Sequence, residues 1–132
     1  MIYLDENKFL REIRKAYGNN LQDRILNFAI STLKFLIKLP RIRETDVIRF
    51  QLSKSVTAIG ANYEEAQSSG DREFLYKLRI ALKEANETKY WFKILDQLNM
   101  AERKTLSELI QESAEISLIL GSIVSKLDKK FR

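Results

Sequence analysis

Hydrophobic residues recur every three or four positions in four stretches of the chain, which is the spacing of one face of an α-helix. The stretches run from about 21 to 39, 46 to 67, 72 to 98 and 100 to 129. Short polar segments and the single proline, Pro40, separate them. Because short links favour antiparallel neighbours, the pattern predicts an all-α fold, an antiparallel up-and-down four-helix bundle.

The third stretch carries a regular seam of residues that alternate four and three positions apart. Its members are Phe74, Leu78, Ala81, Ala85, Thr88, Phe92 and Leu95. The seam of the second stretch has small and polar members, among them Ser55 and Asn62, and we expect Val47, Phe50 and Val56 to widen it. Since Gly60 adds no side chain, another helix can approach this second helix closely.

Polar residues before each stretch predict where the helices begin. Asn20, at the end of a Gly-Asn-Asn sequence, is a candidate N-cap, as are Thr45 and Asp71. The Gly-Asn-Asn sequence at residues 18–20 interrupts the pattern, and the residues before it predict an additional short N-terminal helical segment. The expected organisation is therefore an N-terminal extension, residues 1–18, and a bundle domain, residues 19–132.

The absence of histidine and cysteine among the 132 residues limits the chemistry available. Serine–histidine and cysteine–histidine catalysis need residues that this chain lacks. A di-iron site in a helical bundle also needs histidines. The paired carboxylates Glu64 and Glu65 are expected to be solvated or paired with nearby cations. We therefore expect no enzyme activity, no cofactor and no metal site.

Lysine and arginine outnumber acidic residues by 23 to 18, for a formal net charge of +5. The candidate nucleic-acid-binding residues cluster around the link between the first two helices. They are Lys34, Lys38, Arg41, Arg43, Arg49 and Lys54. Such a surface attracts a phosphate backbone with little sequence discrimination. The alternative is a positive end that is simply solvated.

The third helix has a second stripe beside its core seam, formed by Ile80, Glu84, Glu87 and Trp91, which are spaced four, three and four apart. A helix with two such faces can pack on the bundle with one face and on a partner with the other. Tryptophan is enriched among interface anchors. The alternative is that Trp91 fills the end of the bundle's own core.

Two sequence stretches resemble a known family. The first is residues 51–66, which begin Gln-Leu-Ser-Lys-Ser-Val and end Asn-Tyr-Glu-Glu-Ala, and the second is residues 74–91, with Glu-Ala-Asn-Glu-Thr and a Tyr-Trp ending. Both are similar to the four-helix bundle proteins encoded in intervening sequences of 23S ribosomal RNA genes, the S23-like proteins. Ala66 stands where the family pattern has glycine. The resemblance covers about residues 20 to 125.

This resemblance implies a bundle that assembles as a homo-oligomeric ring, often a pentamer. A related branch comprises accessory proteins of diversity-generating retroelements, which bind a reverse transcriptase and nucleic acid. Asn62, Glu65, Glu84 and Glu87 match polar positions of the family. With Ile80 and Trp91, they are the candidate oligomer interface or polar network.

The sequence predicts a non-enzymatic helical-bundle protein that binds itself and, through its basic surface, RNA, DNA or a nucleic-acid enzyme such as a reverse transcriptase. The alternative is a structural or adaptor protein whose partner is another protein. The N-terminus lacks the pattern of a signal peptide, and no apolar run is long enough to span a membrane. We therefore expect a cytoplasmic protein without membrane contact.

Overall fold

The computed structural model describes the backbone of residues 2–130 and the side chains of residues 8–18 and 20–130. This part of the chain forms four helices and no strands. The helices are α1 (Ile2–Ile37), α2 (Arg43–Ser68), α3 (Asp71–Leu98) and α4 (Arg103–Lys130).

The helices form a bundle in which consecutive helices run in opposite directions. Near the start of α2, Arg49 contacts the carbonyl of Leu36 at the end of α1. Near the end of α2, the hydroxyl of Tyr63 donates to the carbonyl of Gly18, 3.3 Å away in α1. α3 also runs opposite to α2 and to α4, because residues early in one helix contact residues late in the other. Since α4 also packs on α1, the four helices enclose one core.

The core lies where the seams predicted it. Every member of the third seam, from Phe74 to Leu95, is buried. The residues at the same heptad spacing in α4 are buried as well, namely Leu106, Leu109, Ser113, Ile116, Leu120, Ile123 and Leu127. In α2 the structure confirms the prediction for Val56, which is fully buried, and corrects it for Val47 and Phe50, which are 55% and 66% exposed and do not widen the core seam. Tyr63, next to the predicted seam residue Asn62, is buried instead.

α1 is longer than predicted, because it continues without a break through residues 18–20. Asn20 is therefore a residue inside a helix and not an N-cap, and there is no separate N-terminal helix. Leu10 and Ile13 are buried against the bundle. Arg14 donates to the carbonyl of Ser69 at 3.1 Å. These contacts hold the first half of α1 on the bundle and offset the cost of about 1 kcal/mol for a glycine inside a helix.

The caps of the other helices are also displaced from their predicted residues. α2 follows Ile42, and α3 follows Gly70, so Thr45 and Asp71 lie in the first turns of these helices. Asn99 ends α3 in the left-handed conformation with φ of 56°. Glu102 caps α4, since its carboxylate accepts the N–H of the third residue on, Thr105, at 2.7 Å.

Candidate interaction surfaces

Four of the six predicted nucleic-acid-binding residues lie exposed at one end of the bundle. Lys34 and Lys38 are in and just after the last turn of α1, Arg41 is in the link, and Arg43 begins α2. The link is short because Pro40 cannot continue α1 and Thr45 ties the next turn down by accepting the N–H of Ile42. The structure therefore brings these four cations together at the α1–α2 link, which we call the basic end.

The fifth residue, Arg49, has contacts inside the fold. Its side chain is only 14% exposed, and its guanidinium donates to the carbonyls of Leu39 at 3.3 Å and Pro40 at 3.0 Å, and to that of Leu36. The last carbonyls of a helix have no partner within the helix, and a cation there also interacts favourably with the helix dipole. Arg49 thus caps the C-terminus of α1, and little of its charge faces outward.

The sixth residue, Lys54, is exposed but lies three turns along α2 from Arg43. Its charge acts on Glu84 of α3. Lys54 therefore belongs to the side of the bundle made by α2 and α3 and is separate from the basic end.

A cavity of about 370 Å³ adjoins the basic end between α1 and the start of α4. Lys34 and Lys38 form one wall, and Met100, Glu102 and Thr105 are on the other. A second groove of about 630 Å³ continues between the same helices beside Asp23, Glu108 and Glu112 and other residues. α1 and α4 are the least closely packed neighbours in the bundle. The carboxylates of the second groove make it unfavourable for a phosphate backbone.

The second stripe of α3 lies on the outer side of the α2–α3 pair, which we call the α2–α3 face. Ile80, Glu84, Glu87 and Trp91 are all half-buried. The indole N–H of Trp91 donates to Glu87 at 3.3 Å, and the ring of Tyr90 contacts the indole edge-on at 5.2 Å. Trp91 therefore packs beside the core with part of its ring in solvent. This position lies between the two predictions, an interface anchor and a residue that fills the end of the core.

Glu84 and Glu87 lie one turn apart on this face and repel each other. Partial burial, and then the charge of Glu87, raise the pKa of Glu84 above its ordinary value, while Lys83 and Lys54 oppose the shift. Neither carboxylate has an ion pair within 4 Å among the described residues. The α2–α3 face thus presents two carboxylates whose charges are incompletely neutralised within one copy of the chain.

The remaining two residues of the predicted network are satisfied separately. The side-chain amide of Asn62 donates to the carbonyl of Ala58 at 2.8 Å, within the same helix. Glu65 accepts from Lys77 of α3 at 2.9 Å. A polar contact that the seam pattern did not identify lies inside the bundle, where the hydroxyls of Ser55 and Thr88 are 2.9 Å apart.

Comparison with protein-family models shows which family the chain belongs to. The family model described as 23S rRNA-intervening sequence protein matches residues 19–122. The chain belongs to this family. The match begins one residue after the predicted N-terminal extension and includes both stretches that carried the resemblance. No curated protein matches this family member.

A solved structure supports the same assignment. It is the crystal structure of a protein of unknown function from the S23 ribosomal protein family of Bacteroides thetaiotaomicron. The two chains are 36% identical and superpose with a TM-score of 0.67, and the match covers 78% of this family member and 96% of the other chain. The recognition made from sequence is therefore confirmed, as is the helical-bundle fold.

The described residues of this family member also bear on membrane contact and metal binding. No helix among them is long and apolar enough to cross a membrane. No group of three or more of their acidic side chains could hold a metal ion. The expectation that the protein is not an enzyme stays a prediction.

Proposed function

We propose that this family member is a non-enzymatic, homo-oligomeric cytoplasmic protein that binds RNA or DNA, or a nucleic-acid enzyme such as a reverse transcriptase, through its basic end. The observation that carries the proposal is the exposure of Lys34, Lys38, Arg41 and Arg43 together at one end of the bundle. Arg49 and Lys54 are left out of the proposed surface, because one caps α1 and the other lies beside Glu84.

Self-association strengthens this proposal physically. Four cations neutralise few phosphates, so a single copy would bind nucleic acid weakly. Several copies that present their basic ends side by side bind one strand at many points, and avidity then exceeds the affinity of each end. The α2–α3 face, with Trp91 half-buried and Tyr90 55% exposed, is the surface proposed for self-association. The resemblance described above suggests a ring, often of five copies.

A titration with labelled RNA and duplex DNA at about 50 and 200 mM salt tests the nucleic-acid proposal. We expect binding at low salt that weakens steeply at high salt. The double substitution Arg41→Glu with Arg43→Glu should weaken binding at least tenfold without lowering the thermal midpoint. The matched control is Arg72→Glu with Lys129→Glu, which makes the same change in charge at exposed positions at the other end.

Two outcomes would contradict the proposal. If the wild-type protein does not bind below about 100 µM at low salt, non-specific nucleic-acid binding is excluded. If the control weakens binding as much as the Arg41 and Arg43 substitutions, the overall charge and not the basic end is responsible.

The alternative function, an adaptor that binds another protein, is favoured by one observation. Val47 and Phe50 are large apolar side chains that the fold leaves exposed on α2, and such residues on one side of a molecule are typical of a protein interface. A protein that fails the titration but associates stably would support this alternative.

A further inference from the structure

The cavity beside the basic end has a size and a position that suit a small molecule. Its volume of about 370 Å³ lies within the range of ligand pockets, which is about 300–1,000 Å³. A cavity of about 150 Å³ already holds a benzene molecule, so this one has room for a ring with a short chain. It lies between α1 and α4, the least closely packed neighbours of the bundle.

The inner part of the cavity is apolar. Phe35 and Leu39 belong to the core and line the cavity, and they are only 7% and 4% exposed. Ala101, which packs against the same core, and Met100, which is 37% exposed, line it from the α3–α4 link. A methionine side chain is flexible and adapts to the shape of what it contacts. An apolar group that enters the cavity therefore exchanges water for contacts with core residues, which is favourable.

The outer part of the cavity is positively charged. Lys34 and Lys38 lie one turn apart on the α1 wall, and both are exposed. Neither lysine has an ion pair within 4 Å among the described residues. Like charges one turn apart on a helix repel each other. An anion between the two ammonium groups would relieve this repulsion.

The acidic residue of the lining does not neutralise these lysines. Among the described residues that line the cavity, Glu102 is the one with a carboxylate. That carboxylate accepts the backbone N–H groups of Lys104 and Thr105, at 3.2 and 2.7 Å, and thus caps α4. Hydrogen bonds from the hydroxyl and the backbone N–H of Thr105 lower the pKa of Glu102 below its ordinary value, so its charge stays at the start of α4.

The groove next to the cavity limits where an anion can lie. Ser31 and Thr105 line both spaces, so the groove continues from the cavity. Asp23 and Glu108 are in the groove, and neither has an ion pair within 4 Å among the described residues. Because these carboxylates repel a negative group, the lysine end of the cavity is the favourable place for one.

We propose that this cavity binds a small amphipathic carboxylate, that is, an apolar ring or short chain that carries one carboxylate group. The apolar part lies against Phe35, Leu39 and Met100, and the carboxylate lies between the ammonium groups of Lys34 and Lys38. Charge complementarity selects this ligand, because a neutral molecule leaves both lysines unpaired and a cation is repelled by them. The inference needs neither nucleic acid nor self-association, so it goes beyond the proposed function and does not rest on it.

A bound carboxylate would also change the basic end. Lys34 and Lys38 are two of its four cations, and a carboxylate between them lowers the positive charge that a phosphate backbone meets. By linkage, RNA at the basic end would in turn weaken the binding of the carboxylate. The cavity would thus let a small carboxylate regulate the binding proposed for the basic end.

Three small molecules test the proposal, because they share one apolar group and differ in charge: phenylbutyrate, phenylbutanamide and phenylbutylamine. Amide NMR spectra of the isotope-labelled protein, recorded during each titration, give both the affinity and the place of binding. We expect phenylbutyrate to bind with a Kd of about 1 mM or below, as its size allows, and to shift the signals of Phe35, Leu39 and Ala101. Phenylbutanamide should bind at least fivefold more weakly, and phenylbutylamine should not saturate.

Two variants locate the site. Lys34→Gln with Lys38→Gln should weaken phenylbutyrate binding at least fivefold and remove its advantage over phenylbutanamide. The matched control is Lys15→Gln with Lys129→Gln, which makes the same change in charge at exposed positions at the other end of the bundle and should leave binding unchanged. Ser31→Phe, at an exposed position on the cavity wall, should fill the cavity and abolish binding. Circular dichroism confirms that each variant is folded.

Several outcomes would overturn the inference. If phenylbutyrate does not saturate below about 10 mM, or shifts signals away from the cavity, the cavity is not its site. Equal affinities for the three molecules would mean that the lysines do not select the ligand. If uridine monophosphate shifts the cavity signals at lower concentrations than phenylbutyrate, the occupant is a nucleotide. If Ser31→Phe dissociates an assembled protein, the occupant is a second copy.

The failure of the proposed function has a different result. A protein that binds phenylbutyrate in the cavity but does not bind RNA contradicts the proposed function and leaves this inference intact. If it binds both, saturating phenylbutyrate should weaken RNA binding at least twofold, whereas the same concentration of phenylbutanamide should not. RNA binding that phenylbutyrate leaves unchanged would overturn the regulation of the basic end.

Discussion

At the residue scale, Arg49 is a cation that the sequence assigns to the basic surface but that makes its contacts within the fold. It follows Arg41 and Arg43 closely in sequence, and nothing in its spacing distinguishes it from them. In the structure its guanidinium donates to the carbonyl of Leu36 in the last turn of α1 and to those of Leu39 and Pro40 in the link. The distinction depends on α1 and α2 meeting at the link, which is a tertiary contact that periodicity does not contain.

Arg49→Ala should lower the free energy of unfolding by about 1–3 kcal/mol, because it leaves carbonyls at the end of α1 and in the link without their donor. Chemical denaturation measures this change. The matched control is Arg43→Ala, an exposed arginine of the same helix, which should change stability by no more than about 0.5 kcal/mol. If Arg49→Ala instead weakens RNA binding and leaves stability unchanged, Arg49 belongs to the basic end after all.

Glu84 gives a prediction that depends on pH. Its raised pKa means that the folded state holds a proton more tightly than the unfolded state does. The ionised form therefore destabilises a single copy, and this cost increases as the pH rises through the folded pKa. At a protein concentration at which the chain is monomeric, Glu84→Gln should raise the thermal midpoint at pH 7. The gain should disappear on acidification below the ordinary pKa of glutamate. A gain that is constant with pH would mean that charge is not the cause.

At the scale of the helices, the seams were predicted well and the helix ends were not. The seam residues from Phe74 to Leu95 are buried because heptad spacing determines which side of a long helix faces a core. The break expected at residues 18–20 is absent, since burial of Leu10 and the contacts of Arg14 outweigh the local preference of a glycine and two asparagines. Local propensity could not anticipate those contacts.

The exposed apolar residues show the same limit. Val47 and Phe50 have helical spacing that fits the edge of a seam. Whether an edge position is buried depends on how far the neighbouring helix extends over it. Of the candidate sites, the sequence identified the four cations of the basic end and the stripe of α3. It did not identify the exposed apolar residues Leu26, Ile30 and Ile37 on the outer side of α1, although their helical spacing was available as a signal.

The continuity of α1 predicts that Gly18→Ala stabilises the protein by about 0.5–1 kcal/mol, because alanine favours a helix interior. The space around Gly18 accepts a Cβ atom, because apart from its chain neighbours and the backbone of its own helix no described atom lies within 4 Å. Gly60→Ala is the matched comparison and should gain less, since its Cβ would lie 3.3 Å from the Cγ2 atom of Ile25. Thermal unfolding measures both changes. If Gly18→Ala destabilises the protein, α1 is not a continuous helix there.

At the scale of the whole molecule, the bundle places its candidate surfaces on different sides. The basic end lies where α1 meets α2, and the α2–α3 face follows the bundle axis. In an assembly of copies whose axes are parallel, all basic ends would lie at one rim. This arrangement would turn a weak local charge into an extended surface for a phosphate backbone.

The most direct test of this account is sedimentation velocity of the wild-type protein with a dye-labelled RNA, observed at the absorbance of the dye. The account predicts that the RNA sediments with a species several times heavier than one 15.5 kDa chain, and that it is released as salt rises from about 50 to 200 mM. RNA that sediments as free strand at low salt, or with a single chain only, would contradict the account.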